Sequence, residues 1–398
     1  MCNGSKTSSK VNVGFVILVD ENWLGGINYY RNLLEIICED TNRIFEPIIF
    51  TNNGLINKYF NELNLPVIYT GILKKYNFLW FLNKVCNKLF KREFLLENLL
   101  KKYNISIVSH SLWNIKNILQ LPWIPDFQHK YLPELFSTTE CKYRDDVFKK
   151  YAEFGDLVIL SSQTAKNDFC KSFVRYKEKA CVLSFVVSAK DIPKNTKYVL
   201  NKYNITKPFF YLPNQFWQHK NHKVVLEALT YLKDTNITVY CTGNTEDYRN
   251  KKYFNELLDY IRINQLDKCF KILGIVPYQD VQALTVECKA IINPSLFEGW
   301  STTVEEAKSM GKRIILSDID VHKEQNPEGG LFFDRNNSKD LAEKMFEVWN
   351  EQRDINDKLK RNAMINLAER KRDFRENYYK ILSKCIEEKH KSEGRKLQ

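Results

Sequence analysis

Asn293-Pro-Ser-Leu-Phe-Glu-Gly-Trp-Ser-Thr-Thr-Val-Glu-Glu-Ala307 follows an apolar strand candidate, Ala290 to Ile292, turns at Pro294 and opens a short helix that Gly311 ends. A strand that passes through a loop into a helix aims free backbone N–H groups and a positive dipole end at an anion above it. Two carboxylates stand eight positions apart here, Glu298 in the loop and Glu306 in the helix. A carboxylate is badly matched to phosphate, but it accepts hydrogen bonds from two neighbouring hydroxyls at once. The junction therefore suits a ligand that is part diphosphate and part sugar.

The same alternation of strand and helix extends in both directions. Upstream, apolar strand candidates run from Val11 to Val19, Ile48 to Thr51, Ile105 to Ser109, Asp156 to Leu160 and Ala180 to Phe185. The first is nearly continuous in apolar residues, as expected of a strand covered on both faces. Gly25-Gly26 then leads into a helix over Ile27 to Glu39. The pattern pauses over Ser188 to Lys207, a polar stretch with Pro193 that Pro208 closes. It restarts at Phe209 to Leu212 and continues through Ile237 to Cys241, Phe270 to Leu273, Ala290 to Ile292 and Arg313 to Leu316. Such alternation predicts an α/β protein with parallel sheets, and 398 residues accommodate two doubly wound units joined near 188–207. Ligands in such sheets bind beyond the carboxyl ends of the strands, so facing loops of two units would enclose a cleft.

Composition narrows the partners. A net charge of +12 implies anionic ones: nucleic acid, a nucleotide diphosphate or an anionic membrane. No zinc-finger, RRM-like or basic-zipper pattern is present, so nucleic acid is not expected. No run of 18 uncharged apolar residues occurs, and Met1 to Lys10 lacks the apolar centre of a signal peptide. Ten cysteines are scattered singly without a C-x-x-C, the usage of a reduced, cytoplasmic protein.

The segment from Glu298 to Glu306 resembles the E-x7-E signature of the retaining glycosyltransferases of family 4. The usual Glu-Gly-Phe-Gly-Leu-Pro core is replaced by Glu298-Gly-Trp-Ser-Thr-Thr303. Similarity continues through Ile314-Ile-Leu-Ser-Asp-Ile-Asp-Val-His-Lys-Glu-Gln325 and Gly329-Gly-Leu-Phe-Phe-Asp334. Upstream it takes in Tyr211-Leu-Pro-Asn-Gln-Phe-Trp-Gln-His-Lys-Asn-His222 and Ile124-Pro-Asp-Phe-Gln-His129.

The resemblance implies the GT-B fold, two Rossmann-like domains facing a cleft. Residues 1–188 would form the acceptor domain and 189–373 the nucleotide-sugar donor domain. A last helix within 374–398 would cross back onto the first domain; Phe374, Tyr378, Ile381, Leu382 and Cys385 fall on one side of it. By the same resemblance Glu306 takes the ribose diol, Glu298 the hydroxyls of the transferred sugar, and the amides of Gly299, Trp300, Ser301 and Thr302 the distal phosphate. Lys220 grips the diphosphate, with Gln215 where the family commonly places an arginine. Gly25 and Gly26 lie against the donor phosphate, and His129 lies close to the donor sugar with Asp126 orienting its ring. Backbone groups around Leu273 to Val276 would meet the base.

The expected activity is that of a metal-independent retaining hexosyltransferase. Its donor would be a GDP- or UDP-linked hexose, a co-substrate, with no further cofactor. Its acceptor would be lipid-linked or a growing glycan, in cell-surface polysaccharide or lipopolysaccharide assembly. Three alternatives stay open: a nucleotide-sugar-binding scaffold with a decayed site, for which Gln215 speaks; a glycoside hydrolase, which also needs two carboxylates; and an epimerase of the same fold. Asp318-Ile-Asp320 has the form of a metal-binding D-x-D but follows a strand, where a turn is expected. His219-x-x-His222 lacks the further ligands a metal needs.

The segment from Trp80 to Phe94 is basic and aromatic and is preceded by Lys74-Lys75. On a helix, Leu82, Val85, Leu89 and Phe90 share one face, bordered by Lys84, Lys88, Lys91 and Arg92. Two readings stay open. Such a helix lies in an anionic membrane surface, giving a peripheral protein on the inner face, or it faces the core with a solvated basic side.

Overall fold

The computed structural model describes residues 10–18, 24–52, 54–188, 195–206, 208–351 and 355–396. Seven strands form the first sheet: β1 (Val11–Val16), β2 (Phe45–Thr51), β3 (Val67–Tyr69), β4 (Ile105–His110), β5 (Leu119–Ile124), β6 (Val158–Leu160) and β7 (Ala180–Val182). Their order is β3-β2-β1-β4-β5-β6-β7, with every pairing parallel. Six strands form the second: β8 (Phe210–Leu212), β9 (Val239–Thr242), β10 (Phe270–Gly274), β11 (Ala290–Asn293), β12 (Ile314–Ser317) and β13 (Gly330–Phe333). That sheet runs β10-β9-β8-β11-β12-β13 and is also parallel throughout. Helices cover both faces of each sheet, and so β5, β6, β8 and β11 are buried along their whole length.

The strand order reverses between β1 and β4 and again between β8 and β11. Ligands bind at such switch points, beyond the carboxyl ends of the strands. The loops that leave β8 and β11 are the ones that carry Lys220 and Glu298, so the topology alone makes them neighbours.

Three strands had no clear signature in sequence. β3 is a three-residue edge strand, and β13 starts on Gly330 at the other sheet's edge. β5 contains Pro122, which cannot donate to a ladder; it occupies the last pair of the β4 register, opposite His110. Two predicted boundaries also move. The first helix is Leu24–Cys38, so Gly25 and Gly26 lie in its first turn instead of in a loop before it; Val19 and Trp23 lie outside the described residues. The predicted polar linker holds a helix, Thr196–Lys202, capped by the Asn195 side chain and anchored in the second core by Val199. Residues 189–194 and 207 of that stretch lie outside the described residues.

The final helix, Asn356–Lys396, has 41 residues and is about 60 Å long at the usual rise. It starts on the second domain, where Gly311 (φ 61°) admits its backbone; a Cβ there would stand 2.4 Å from Lys360. Phe374, Tyr378, Ile381, Leu382 and Cys385 then bury into the core of the first domain beside Phe15, Leu33 and Leu34. Tyr378 donates to Ser109 Oγ (2.8 Å) and Asn377 Nδ2 to the Val182 carbonyl (3.0 Å). The crossing follows the expected course, but the helix begins well before the predicted Phe374.

Candidate functional site

The loops after β8 and β11 are tied by a backbone hydrogen bond from Leu296 N to the His219 carbonyl, 2.8 Å. After β8 the chain makes a single 3-10 turn, Gln218–Lys220, and reverses at Asn221 in the left-handed region (φ 55°). Lys220 then points across to the other loop, where its Nζ lies 2.6 Å from Glu298 Oε1. Both side chains are largely enclosed, 15% and 10% exposed. Ser295 Oγ stands 2.7 Å from the same carboxylate oxygen. The structure thus brings together two groups that lie 78 residues apart in sequence.

A buried polar floor supports this pair. Asn293 Nδ2 donates to Ser301 Oγ (2.8 Å), Asn293 Oδ1 accepts from Asn214 Nδ2 (3.2 Å), and Thr303 Oγ1 donates to Asn214 Oδ1 (3.2 Å). His322 lies beneath, and burial depresses its imidazole to about 4, so the ring is neutral near pH 7.

The four predicted phosphate amides divide. Gln325 clasps the Ser301 backbone at both ends, accepting from its N–H (3.2 Å) and donating to its carbonyl (3.0 Å). The Ser301 amide is therefore engaged by protein, contrary to expectation, while Thr302 opens the helix Thr302–Met310 on its exposed side. The Trp300 indole is likewise occupied: its Nε1 donates to the Phe185 carbonyl of the first domain (2.9 Å). Gly299 lies directly against the first domain, and a Cβ there would stand 2.5 Å from the Pro125 carbonyl oxygen.

Glu306 sits half-buried on the helix Thr302–Met310 and accepts a hydrogen bond from Tyr278 Oη (3.0 Å). Burial pushes its carboxyl up to about 7, and the Tyr278 hydrogen bond opposes that rise. Tyr278 opens the helix Tyr278–Glu287, just past the carboxyl end of β10. Arg31, in the first-domain helix that starts with Gly25 and Gly26, is close enough to act on the Tyr278 phenol by its charge. Space opens above Gly25, where an added Cβ meets nothing within 4 Å.

His129 is placed differently from expectation. Its side chain is fully buried against Phe127 and Phe148, and its Nε2 pairs with Asp145 Oδ1 (2.9 Å), not with Asp126. Asp126 instead accepts from the Gln128 backbone N–H (2.8 Å), two residues along an Asx turn. His129 Nδ1 is buried without a hydrogen-bond partner.

Gln215 accepts from the Asn244 N–H (2.7 Å) and so braces a loop. A cation that sequence did not single out lies nearby. Arg249 pairs with Asp247 (3.0 Å), approaches His219 Nδ1 (3.1 Å) and donates to Gln128 Oε1 of the first domain (3.3 Å). Nothing distinguishes an arginine seven residues past β9 in sequence; neither do Asp145 or Tyr278 announce their partners. His219 and His222 are both held neutral, mainly by burial, and His222 stacks on Phe216 at 4.2 Å. Asp320 opens the short helix Asp320–Gln325. Among the described residues no group of three or more His, Cys, Asp or Glu is placed to hold a metal ion.

A loop carboxylate against a lysine, a second carboxylate two turns on, and a cleft between parallel sheets agree with what comparison with known proteins returns. Residues 199–369 match the family of glycosyl transferases group 1. That stretch holds Gln215, Lys220, Glu298 and Glu306, while Gly25, Gly26 and His129 lie outside it. An N,N'-diacetylbacillosaminyl-diphospho-undecaprenol alpha-1,3-N-acetylgalactosaminyltransferase of Campylobacter jejuni is 28% identical over 193 residues, 45% of this chain and 46% of that protein. The O-antigen chain mannosyltransferase RfbU of Salmonella typhimurium is 24% identical over 184 residues, 46% of this chain and 48% of its own. The chain thus spans about half the length of the curated relatives it matches. Among solved structures, a Rickettsia africae glycosyltransferase superposes with a TM-score of 0.70 at 21% identity, covering 94% of this chain and 99% of that one. Anabaena HepE in complex with UDP-glucose gives 0.71 at 16% identity, with 94% and 99% covered. These neighbours identify the fold as GT-B: two Rossmann-like domains facing a cleft.

Proposed function

We propose that the chain is a retaining glycosyltransferase of family 4 type, which moves a hexose from a nucleotide-sugar to an acceptor hydroxyl. The observation that carries this is the pairing of Lys220 with Glu298 at the β8–β11 switch point, with Glu306 on the helix that follows. A diphosphate sugar presents an anion and a cluster of hydroxyls side by side. The loop offers a cation for the first and a carboxylate for the second.

In the step proposed, the bond from the anomeric carbon to the diphosphate oxygen breaks and the acceptor oxygen bonds to that carbon on the same face. The acceptor proton passes to a phosphate oxygen. Lys220, the first-turn amides of the helix Leu24–Cys38 and the Thr302 amide stabilise the growing charge on the leaving group. Gln215 cannot do so, and Arg249, beside His219, and Arg31, whose charge reaches Tyr278, are assigned to share that work. Charge neutralisation is assigned to these side chains, so activity is expected to persist in a chelator. Glu306 holds the ribose diol. His129, enclosed by Phe127 and Phe148 with Asp145 holding its ring, is assigned a positioning role in the wall of the site.

Two relatives point toward the acceptor. One is named for a diphospho-undecaprenol acceptor and the other for an O-antigen chain. A lipid-linked or growing cell-surface glycan is accordingly the acceptor class we infer, with UDP-hexose tried before GDP-hexose because HepE holds UDP-glucose. Thermal stabilisation by UDP-, GDP-, ADP- and dTDP-sugars, for wild type and Glu306→Ala, tests the donor site. A shift for one nucleotide class that the variant loses is expected; no shift for any would move the hydrolase alternative ahead, and a shift without sugar transfer would favour the scaffold. Lys220→Ala should lower turnover by on the order of a hundredfold, the usual cost of one charge-stabilising donor. Full activity in that variant would remove Lys220 from the mechanism.

A further inference from the structure

The basic aromatic segment resolves into the helix Phe78–Phe90, and much of the apolar side that sequence periodicity suggested is open, with Leu89 and Phe90 exposed. Asn83 is buried, so its side turns toward the protein, while Leu82 and Val85 are half-buried beside the open stripe. Phe78, Phe81 and Leu89, spaced one, two and three turns apart along one stripe, are 71%, 58% and 69% exposed. Tyr76 just before the helix is 94% exposed, Phe90 at its end 71%, and Phe94 beyond it 45%. Isolated exposed aromatics need no explanation, but with Leu79 (42% exposed) seven large apolar side chains within 19 residues form a patch that water does not favour.

The charge around the patch is of one sign. From Lys74 to Phe94 the cations are Lys74, Lys75, Lys84, Lys88, Lys91 and Arg92, and the single acid, Glu93, is buried. Lys84 leans toward Glu93 (3.2 Å) and Arg92 pairs with the buried Glu97, while Lys74, Lys75, Lys88 and Lys91 stand exposed. Exposed aromatic rings bordered by lysines match the acyl–headgroup boundary of an anionic bilayer, where rings sink in and ammonium groups meet phosphate.

The position of the helix fits this occupant. It follows β3 past that strand's carboxyl end, and Asn87 Oδ1 accepts from Asn114 Nδ2 (2.9 Å) in the loop past the carboxyl end of β4. The patch therefore sits on the same rim of the first sheet as the helix Leu24–Cys38 start and His129, at the β3 edge. We propose that the helix Phe78–Phe90, with Tyr76 and Phe94, docks the chain onto an anionic membrane surface. No described helix is long and apolar enough to cross a bilayer.

The test needs neither donor nor acceptor, so it stands apart from the transfer chemistry. Co-sedimentation of the full chain with phosphatidylcholine vesicles, with and without phosphatidylglycerol, should show binding only to the anionic ones, weakening as salt is raised. Phe78→Ser/Phe81→Ser/Leu89→Ser and Lys84→Glu/Lys88→Glu should each lower the partition coefficient by at least about tenfold. Both sets change exposed side chains, and an unaltered melting curve verifies the fold. Absence of binding by the wild type, or unchanged binding by both variants, overturns the proposal. So does a wild-type dimer in sedimentation velocity that the serine variant converts to monomer without any vesicle effect, which would give the patch to a second copy.

Discussion

Glu306 carries the clearest residue-scale consequence. A carboxyl held up to about 7 is half protonated near neutrality, and the proton occupies an oxygen that would accept from a ribose hydroxyl. Donor affinity should therefore rise with pH through about 7 and level off above it, a change of roughly tenfold between about pH 6 and pH 8. Glu306→Gln should flatten that profile in a binding titration. Tyr278 opposes the rise by donating to the ionised form, so Tyr278→Phe should move the midpoint to higher pH. A Tyr278→Phe midpoint at or below that of the wild type would show that the 3.0 Å contact does not tune the acid. Lys220 and Glu298 illustrate a different economy. Each holds the other's long side chain in place at 2.6 Å, which under the proposed function would pre-organise both for a diphosphate sugar.

At the scale of elements, the loop after β11 does two things at once: it presents Glu298 to the cleft and lies directly on the first domain. Gly299 makes the second possible, since a Cβ would meet the Pro125 carbonyl oxygen at 2.5 Å and Asp126 Cβ at 2.8 Å. Gly299→Ala should hold the domains apart by roughly the missing contact distance, leaving nucleotide binding to the second domain nearly intact while transfer falls at least about tenfold. Thermal shift and turnover, measured on the same preparation, separate the two effects; equal loss of both would mean the loop itself had collapsed. The strand-to-helix junctions that hold Lys220, Glu298 and Glu306 were legible in sequence because each is a local feature at a strand end. The partner of each was not. Asp145 lies 16 residues from His129 and Arg249 lies 121 from Gln128, contacts that only helix packing and domain closure create.

For the whole molecule, the helix Asn356–Lys396 is the strap that joins the two cores. Phe374, Tyr378, Ile381, Leu382 and Cys385 are each buried in the first domain. At about 1.5–3 kcal/mol for each large apolar side chain, they contribute on the order of 10 kcal/mol, comparable to the net stability of a typical domain. Truncation after Arg372 should therefore unfold or aggregate the first domain. Urea denaturation followed by tryptophan emission should lose the transition of Trp123, which lies in that core, and retain one from the second domain. Two intact transitions in the truncated chain would show that the strap adds little.

The sequence by itself determined the fold class, the two-unit organisation and the identity of the strand-end devices. These depend on apolar periodicity, turn residues and spacing, all of which are local. Tertiary structure decided which polar groups are engaged and which are open. Ser301 loses its amide to Gln325, His129 takes Asp145 in place of Asp126, and the helix Phe78–Phe90 turns Phe78 and Phe81 outward while half-burying Leu82 and Val85. Amphipathic spacing defines the apolar stripe of a helix, but how much of that stripe meets water depends on what packs beside it, and that neighbour is supplied by residues distant in the chain.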